Sequence, residues 1–303
     1  MTHQLDADGF FIHCIQRMCA AKGLDFFLVE PVWVKPFFEA FQRDDIWARA
    51  LLNMHSEHHL PEDPFHRLVA LADHRKTIVI DPPTLAQNAF DKSVLHPRLE
   101  AAGVPVPPSL ILDAATARTI QFTPEQREFL GDPFVIKPAR GYGRKGVILD
   151  ARDEKDISRS MIAWPDDHYL LQRKIVPRDL EGRPAYWRVF YVFGTLWWCW
   201  WNCFTDRYTE VLPEEIEQFN LQAIGQGMKR IANLTGMSFF SSEIAQTANA
   251  DFVWIDYVND QCHMLTQSSN PRMGVPDRVV EAIAERLVEG AADLIRRPNA
   301  MAA

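Results

Sequence analysis

Two clusters in this 303-residue chain hold residues whose types and spacing suit chemistry on a charged ligand. The first is the stretch Pro133-Phe-Val-Ile-Lys137-Pro-Ala-Arg140-Gly141-Tyr-Gly143-Arg144-Lys145-Gly146-Val147. Its apolar run 134–136 is of strand type and delivers Lys137 to the mouth of a loop, where Pro138 stops the strand. Glycines at 141, 143 and 146 let backbone N–H groups approach an anion closely, and Arg140, Arg144 and Lys145 supply the matching field. Residues 147–149 return as a second strand. A strand–glycine loop–strand hairpin differs from the dinucleotide and Walker phosphate loops, which run from strand into helix. For the glycines alone, an ordinary basic hairpin is an equal reading.

The second cluster lies about a hundred residues on, in Ser241-Ser-Glu243-Ile-Ala and Trp254-Ile-Asp256-Tyr-Val-Asn259-Asp260. Carboxylates here occupy otherwise apolar strands of an expected hairpin. Two acids and an amide oxygen converging across adjacent strands form the hard-oxygen set that Mg²⁺ prefers when it also keeps phosphate oxygens. Hydrogen-bonded structural acids near strand ends are the competing reading. Arg188 adds a cation inside the strand pair of residues 185–201, whose apolar side chains fall on both faces. A charge in such a strand faces a charged partner or a ligand. The polar stretches 202–210, with Asp206, Arg207 and Tyr208, and 261–272 follow these strands. They are candidates for substrate contacts or plain surface loops.

The elements that must position these groups follow from periodicity and punctuation. Residues 8–22 place Phe11, Ile15, Met18 and Cys19 on one helical face, with Gly23 as the stop. Leu24 to Glu30 reads as a buried strand, Pro36 to about Met54 as a helix, and Pro64 to His74 as another. Residues 77–81 form a further strand. Such alternation implies a parallel, doubly wound layer. A helix of about 89–102 carries Asp91 and Lys92 in its first turn. Strands are expected at 109–112 and 168–172, and helices at 124–130, capped by Thr123, and at 151–163. Two strands meet at Gly194-Thr195. A single long helix runs from Pro213 through Leu234 to Gly236. Strands at 239–245 and 251–258 and a helix at 277–297 complete the chain. There is no internal repeat.

Composition narrows the class. At 47% apolar and 24% charged residues the chain is a soluble globular protein with room for two or three subdomains. A net charge of −8 argues against general nucleic-acid affinity, so any anion site is a local basic patch. Five cysteines, an odd count, suggest reduced thiols in a cytoplasmic protein, with Cys199 and Cys203 packed among tryptophans. No run of eighteen apolar residues exists to span a membrane, and Asp6 and Asp8 are unlike a signal peptide. His55, His58 and His59 read as a solvated loop, since no acid or cysteine stands at ligand spacing.

Together the two clusters resemble the ATP-grasp superfamily, in order and spacing, from about Asp91 to Asn259. The likeness is strongest to the branch of glutathione synthetase, D-alanine–D-alanine ligase and the ribosomal-protein glutamate ligases. It implies an α/β (α+β) architecture: an N-terminal doubly wound layer (1–88), a lid subdomain of hairpins and helices (89–175) and a C-terminal antiparallel-sheet subdomain (176–303). By the same resemblance, ATP is held by Lys92, Lys137, the loop residues Arg140, Gly141, Gly143, Lys145 and Gly146, and the hinge Gln172, Arg173, Lys174 and Ile175. Arg188 faces the transferred phosphoryl group, and Glu243, Asp256 and Asn259 hold Mg²⁺. The implied reaction joins a small-molecule carboxylate to an amine through an acyl phosphate, releasing ADP and phosphate. No nucleic-acid or membrane partner is implied, and a homodimer is a candidate assembly. A kinase acting on a hydroxyl and a non-catalytic nucleotide-binding module are the alternatives; the intact set Lys137, Arg188, Glu243, Asp256 and Asn259 argues against the module. The chain departs from the family pattern at three points. Asp256 lies three residues before Asn259 rather than two, leaving a bulge or a metal share for Asp260. The first carboxylate is Glu243 rather than Asp. Arg173 stands where the hinge has an acid, with Asp179 as a substitute for the ribose contact.

Overall fold

The computed structural model describes residues 1–3, 8–55, 60–260 and 262–296. Asp6, His58, His59, Gln261 and Arg297 therefore lie outside the described residues. The chain divides into two compact units. One comprises Met1–Gln87, Trp187–Ser241 and Asn259–Ala303; the other comprises Asn88–Tyr186 and Ser242–Val258. Among the described residues, no helix is long and apolar enough to cross a membrane.

In the first unit, Thr2–His3, Ala50–Met54 and Ile78–Ile80 form a three-stranded parallel sheet. Helices Gly9–Ala21 and Asp277–Arg296 share a core in which Phe11, Ile15, Met54, Ile80, Phe190, Val280, Ile283 and Leu287 are buried. Helical spacing explains the contribution of the last helix: Val280, Ile283, Ala284 and Leu287 form one apolar stripe. Gly290 continues that stripe because a Cβ there would stand 2.2 Å from the Phe193 ring. Gly290→Ala is accordingly expected to lower stability by about 1–3 kcal/mol through overpacking. Urea denaturation checks this, and a wild-type midpoint would mean that Phe193 swings aside freely.

The second unit contains a four-stranded antiparallel sheet in the order Ser109–Leu112, Tyr169–Arg173, Phe134–Pro138, Ile148–Ala151. Leu130, Phe134, Ile136, Ile157, Tyr169 and Leu171 are buried in one cluster beneath it. Helices Pro124–Leu130 and Glu154–Met161 supply Leu130 and Ile157 to this cluster. Thr123 and Gln126 close a capping box on the first of these helices, as the sequence leads one to expect. A further sheet has the order Arg207–Glu210, Thr195–Asn202, Tyr186–Val192, Phe239–Gln246, Phe252–Asn259.

Several elements differ from their sequence expectation, each for a local reason. Residues 24–30 form no strand; Val29 alone bridges Thr2, and Phe27 is 57% exposed, its ring tilted against that of Phe37. The helix expected to reach Met54 is Val34–Gln42, because Asp44 takes a positive φ and Arg75 binds the carbonyls of Phe41 and Gln42. Ala50–Met54 is then free to pair as a strand. The helix expected at 89–102 is two, Pro83–Phe90 and Lys92–Ala101, with Asp91 accepting the Ser93 amide as an N-cap. The long helix breaks at Asn220, which has positive φ, into Pro213–Gln218 and Gln222–Thr235. His55 is buried rather than solvated: its ring stacks on Phe65 and Nε2 stands 3.0 Å from Asp63 Oδ1.

Candidate functional site

Strand alternation determines where Lys137 goes. Phe134 and Ile136 face the core cluster, so Lys137 emerges on the opposite face of the strand. Its ammonium donates to Ile255 O at 2.6 Å. Burial holds its pKa below the ordinary lysine value; Asp256 and Glu243 oppose that shift, and the Lys92 cation reinforces it. Lys92, in the first turn of the helix Lys92–Ala101, places Nζ 3.9 Å from Asp256 Oδ1. That is an ion pair at the limit of contact, and Asp256 Oδ1 is buried and accepts no hydrogen bond. Glu243 Oε2 accepts the Tyr186 hydroxyl at 3.1 Å. Two ammoniums and two carboxylates, brought by four elements of the second unit, thus share one half-buried neighbourhood.

The glycine loop is tied down at both ends. The Arg140 amide donates to Asp167 Oδ2 at 2.7 Å, and its guanidinium Nε lies 3.3 Å from Asp91 Oδ2 and 3.4 Å from Asp167 Oδ1. These guanidinium contacts are ion pairs without hydrogen-bond geometry. Gly141 and Gly146 are close-approach positions, since a Cβ would stand 3.0 Å and 2.9 Å from the Pro138 ring. Gly143, with positive φ, opens onto empty space. Lys145 lies over the Tyr142 ring at 5.0 Å, and Trp164 Nε1 donates to Lys145 O at 3.0 Å.

The hinge residues divide by role. Gln172 is 2% exposed, and its Nε2 donates to Ser109 Oγ at 3.0 Å and to Tyr257 OH at 2.9 Å. The Arg173 amide donates to Pro108 O, while its guanidinium binds Phe129 O at the end of the helix Pro124–Leu130. Lys174 pairs with Asp150, and Ile175 follows the strand, half-buried. Asp179 accepts the Gly182 amide in a tight turn.

Arg188 and Asn259 belong to the first unit, where both meet Ser241. Arg188 Nε donates to Ser241 Oγ at 3.0 Å, and Asn259 Nδ2 donates to Ser241 O at 3.4 Å. Cys262 Sγ donates to Asn259 O, and burial pushes its thiol up to about 12. Arg188, Cys199 and Glu210 stand in register across three strands, hence on one face. Asp260 neighbours Asp81, whose carboxyl burial pushes up to about 6 even though the Ser238 and Phe239 amides donate to it. The two polar stretches also meet in this unit: Gln267 Nε2 donates to Tyr208 O at 2.8 Å beside a cleft of about 540 Å³ that Arg207 and Glu210 line. A cleft of about 700 Å³ lined by Trp47, Arg49 and Lys76 contains none of the candidate residues.

Among the described residues, no three His, Cys, Asp or Glu groups stand together as a metal site. The unsatisfied Asp256 Oδ1 nevertheless leaves an oxygen free for a hard cation, with Glu243 nearby. Sequence reasoning missed Ser241, Tyr186, Asp167 and Tyr257. Period-two alternation held a signal for two of them, since Tyr186 is two residues before Arg188 and Ser241 two before Glu243.

No family model matches the sequence, and no curated protein matches it. Solved structures do match. A RimK domain ATP-grasp protein from Sphaerobacter thermophilus is 16% identical, with a TM-score of 0.62 over 95% of this chain and 98% of its own. D-alanine–D-alanine ligase from Bacillus anthracis, complexed with ATP, is 12% identical, with a TM-score of 0.65 over 97% and 96%. The chain has the ATP-grasp fold. A third ATP-grasp structure, the ligase PsnB complexed with minimal precursor, Mg and ADP, is 15% identical, with a TM-score of 0.60 over 98% of both chains. The mixed α/β class expected from the sequence is therefore the one observed.

Proposed function

We propose that this ATP-grasp protein is an ATP- and Mg²⁺-dependent ligase that joins a carboxylate to an amine through an acyl phosphate. The observation that carries the reading is the half-buried quartet of Lys92, Lys137, Glu243 and Asp256, in which Asp256 keeps a buried, unsatisfied oxygen. Burying such charges is unfavourable unless a charged ligand completes the set. ATP with its metal is a ligand of that kind, and the fold neighbours solved with ATP, or with Mg and ADP, support the choice.

In this reading Lys137, Lys92 and the amides of the loop 140–146 bind the phosphates, and the hinge 171–175, which begins on the strand Tyr169–Arg173, binds the base. Glu243 and Asp256, with Asn259, would hold Mg²⁺, whose contribution is to neutralise phosphate charge. Arg188 orients the γ-phosphoryl group and stabilises the charge that develops as the substrate carboxylate oxygen forms its bond to phosphorus and the bond to ADP breaks. An amine then attacks the acyl carbon and phosphate leaves. No protein nucleophile takes part. The polar stretches that meet at Tyr208 and Gln267 are assigned to substrate.

Glu243→Gln and Asp256→Asn should each raise the Mg²⁺ concentration needed for half-maximal ADP release, by about tenfold, because an amide coordinates a hard dication more weakly than a carboxylate. Asp260→Asn is the control. Wild-type Mg²⁺ dependence in both variants would move the metal elsewhere, and a larger effect at Asp260 would transfer its role there.

A further inference from the structure

Tyr257 is next to Asp256 on the strand Phe252–Asn259 and is 1% exposed. A purely packed ring at this place needs no hydroxyl, whereas a buried hydroxyl needs partners. Tyr257 has two, on two other elements. Its oxygen stands 2.5 Å from His96 Nδ1 and accepts from Gln172 Nε2 at 2.9 Å. His96 lies one helical turn beyond Lys92, on the same face of the helix Lys92–Ala101. Gln172 is on the strand assigned to the base. The backbone carbonyl of Tyr257 accepts Ser242 Oγ, one residue before Glu243.

One order of donors gives every member of the chain a partner. Gln172 donates to Tyr257, so the Tyr257 O–H is free to donate to His96 Nδ1. In that order His96 Nε2 carries the ring proton, and it stands 3.5 Å from Glu100.

We infer that Tyr257 is a positioning residue that, through His96 and Gln172, sets Asp256 against Lys92 and couples the base-binding strand to the metal-binding strand. What it positions rests on the ATP and Mg²⁺ reading above; the hydrogen-bonded chain does not.

The test compares wild type with Tyr257→Phe by calorimetry of ADP binding, without and with saturating Mg²⁺, and by ¹⁵N signals of the His96 ring in the ligand-free protein. Without Mg²⁺, ADP affinity should change less than about threefold, while the gain in affinity that Mg²⁺ confers should shrink about tenfold or more. The His96 nitrogen signals should shift. His96→Leu should reproduce the loss, and His96→Asn, which keeps an acceptor near the Nδ1 position, should restore most of it. A lower melting temperature with an unchanged Mg²⁺ effect would show a merely structural tyrosine and overturn the inference, as would equal behaviour of the two His96 variants. If wild type binds no ADP under either condition, the ATP reading fails. The chain is then judged on the ring signals alone, and their invariance in Tyr257→Phe overturns it.

Discussion

Lys137→Ala is expected to abolish nucleotide-dependent turnover, by about 10²–10³-fold, while the protein remains folded. The lysine sits on the face of its strand away from the core cluster, so its loss opens no cavity among Phe134, Ile136 and Leu171. Its ammonium is held in a low-dielectric place that burial makes unfavourable for charge, so a phosphate arriving there is bound strongly. Removing the ammonium also leaves Glu243 and Asp256 less compensated, which repels the same phosphate. Thermal melting with and without Mg-ATP provides the check, since a ligand that binds the native state raises its midpoint. The variant should melt near wild type alone and lose the nucleotide-induced rise. An unchanged rise would remove Lys137 from the phosphate site.

Arg188→Lys is expected to slow phosphoryl transfer by about 10²-fold or more, although the charge is kept. Lysine has one point of charge, where the guanidinium presents a planar fork with one arm already committed. Nε donates to Ser241 Oγ at 3.0 Å, which fixes the plane of the guanidinium. The variant forfeits both the anchor and the fork. Single-turnover ADP release measures the effect directly; a normal rate would leave the ligase reading standing and take Arg188 out of its chemistry.

The local order around the candidate residues was legible because it depends on neighbours along the chain. The run Phe134–Ile136, Lys137, Pro138 and the glycines specify a strand, a cation and a tight loop in succession, and the structure pairs Phe134–Pro138 with Ile148–Ala151 as that order suggests. The paired acids stand on adjacent strands for a similar reason. What escaped is set by contacts distant in sequence. Leu51 and Leu52 fit a helical stripe as well as a strand, and the partner strand Ile78–Ile80 decides between them. Asp91 reads as an ordinary first-turn acid until its side chain is seen accepting the Ser93 amide. Tyr257 reads as a core aromatic, because nothing in its neighbours along the chain announces His96 or Gln172.

The central claim, that a carboxylate is activated as an acyl phosphate, is tested most directly by trapping that species. An acyl phosphate is a mixed anhydride, and hydroxylamine converts it to a hydroxamate, whereas a phosphate ester is left alone. Carboxylates are screened with Mg-ATP and with hydroxylamine in place of the amine. The account predicts that at least one yields ADP and hydroxamate in equal amounts, and that Lys137→Ala yields neither. ADP release accompanied by a stable phosphorylated substrate, with no hydroxamate, would contradict the ligase reading and establish a kinase.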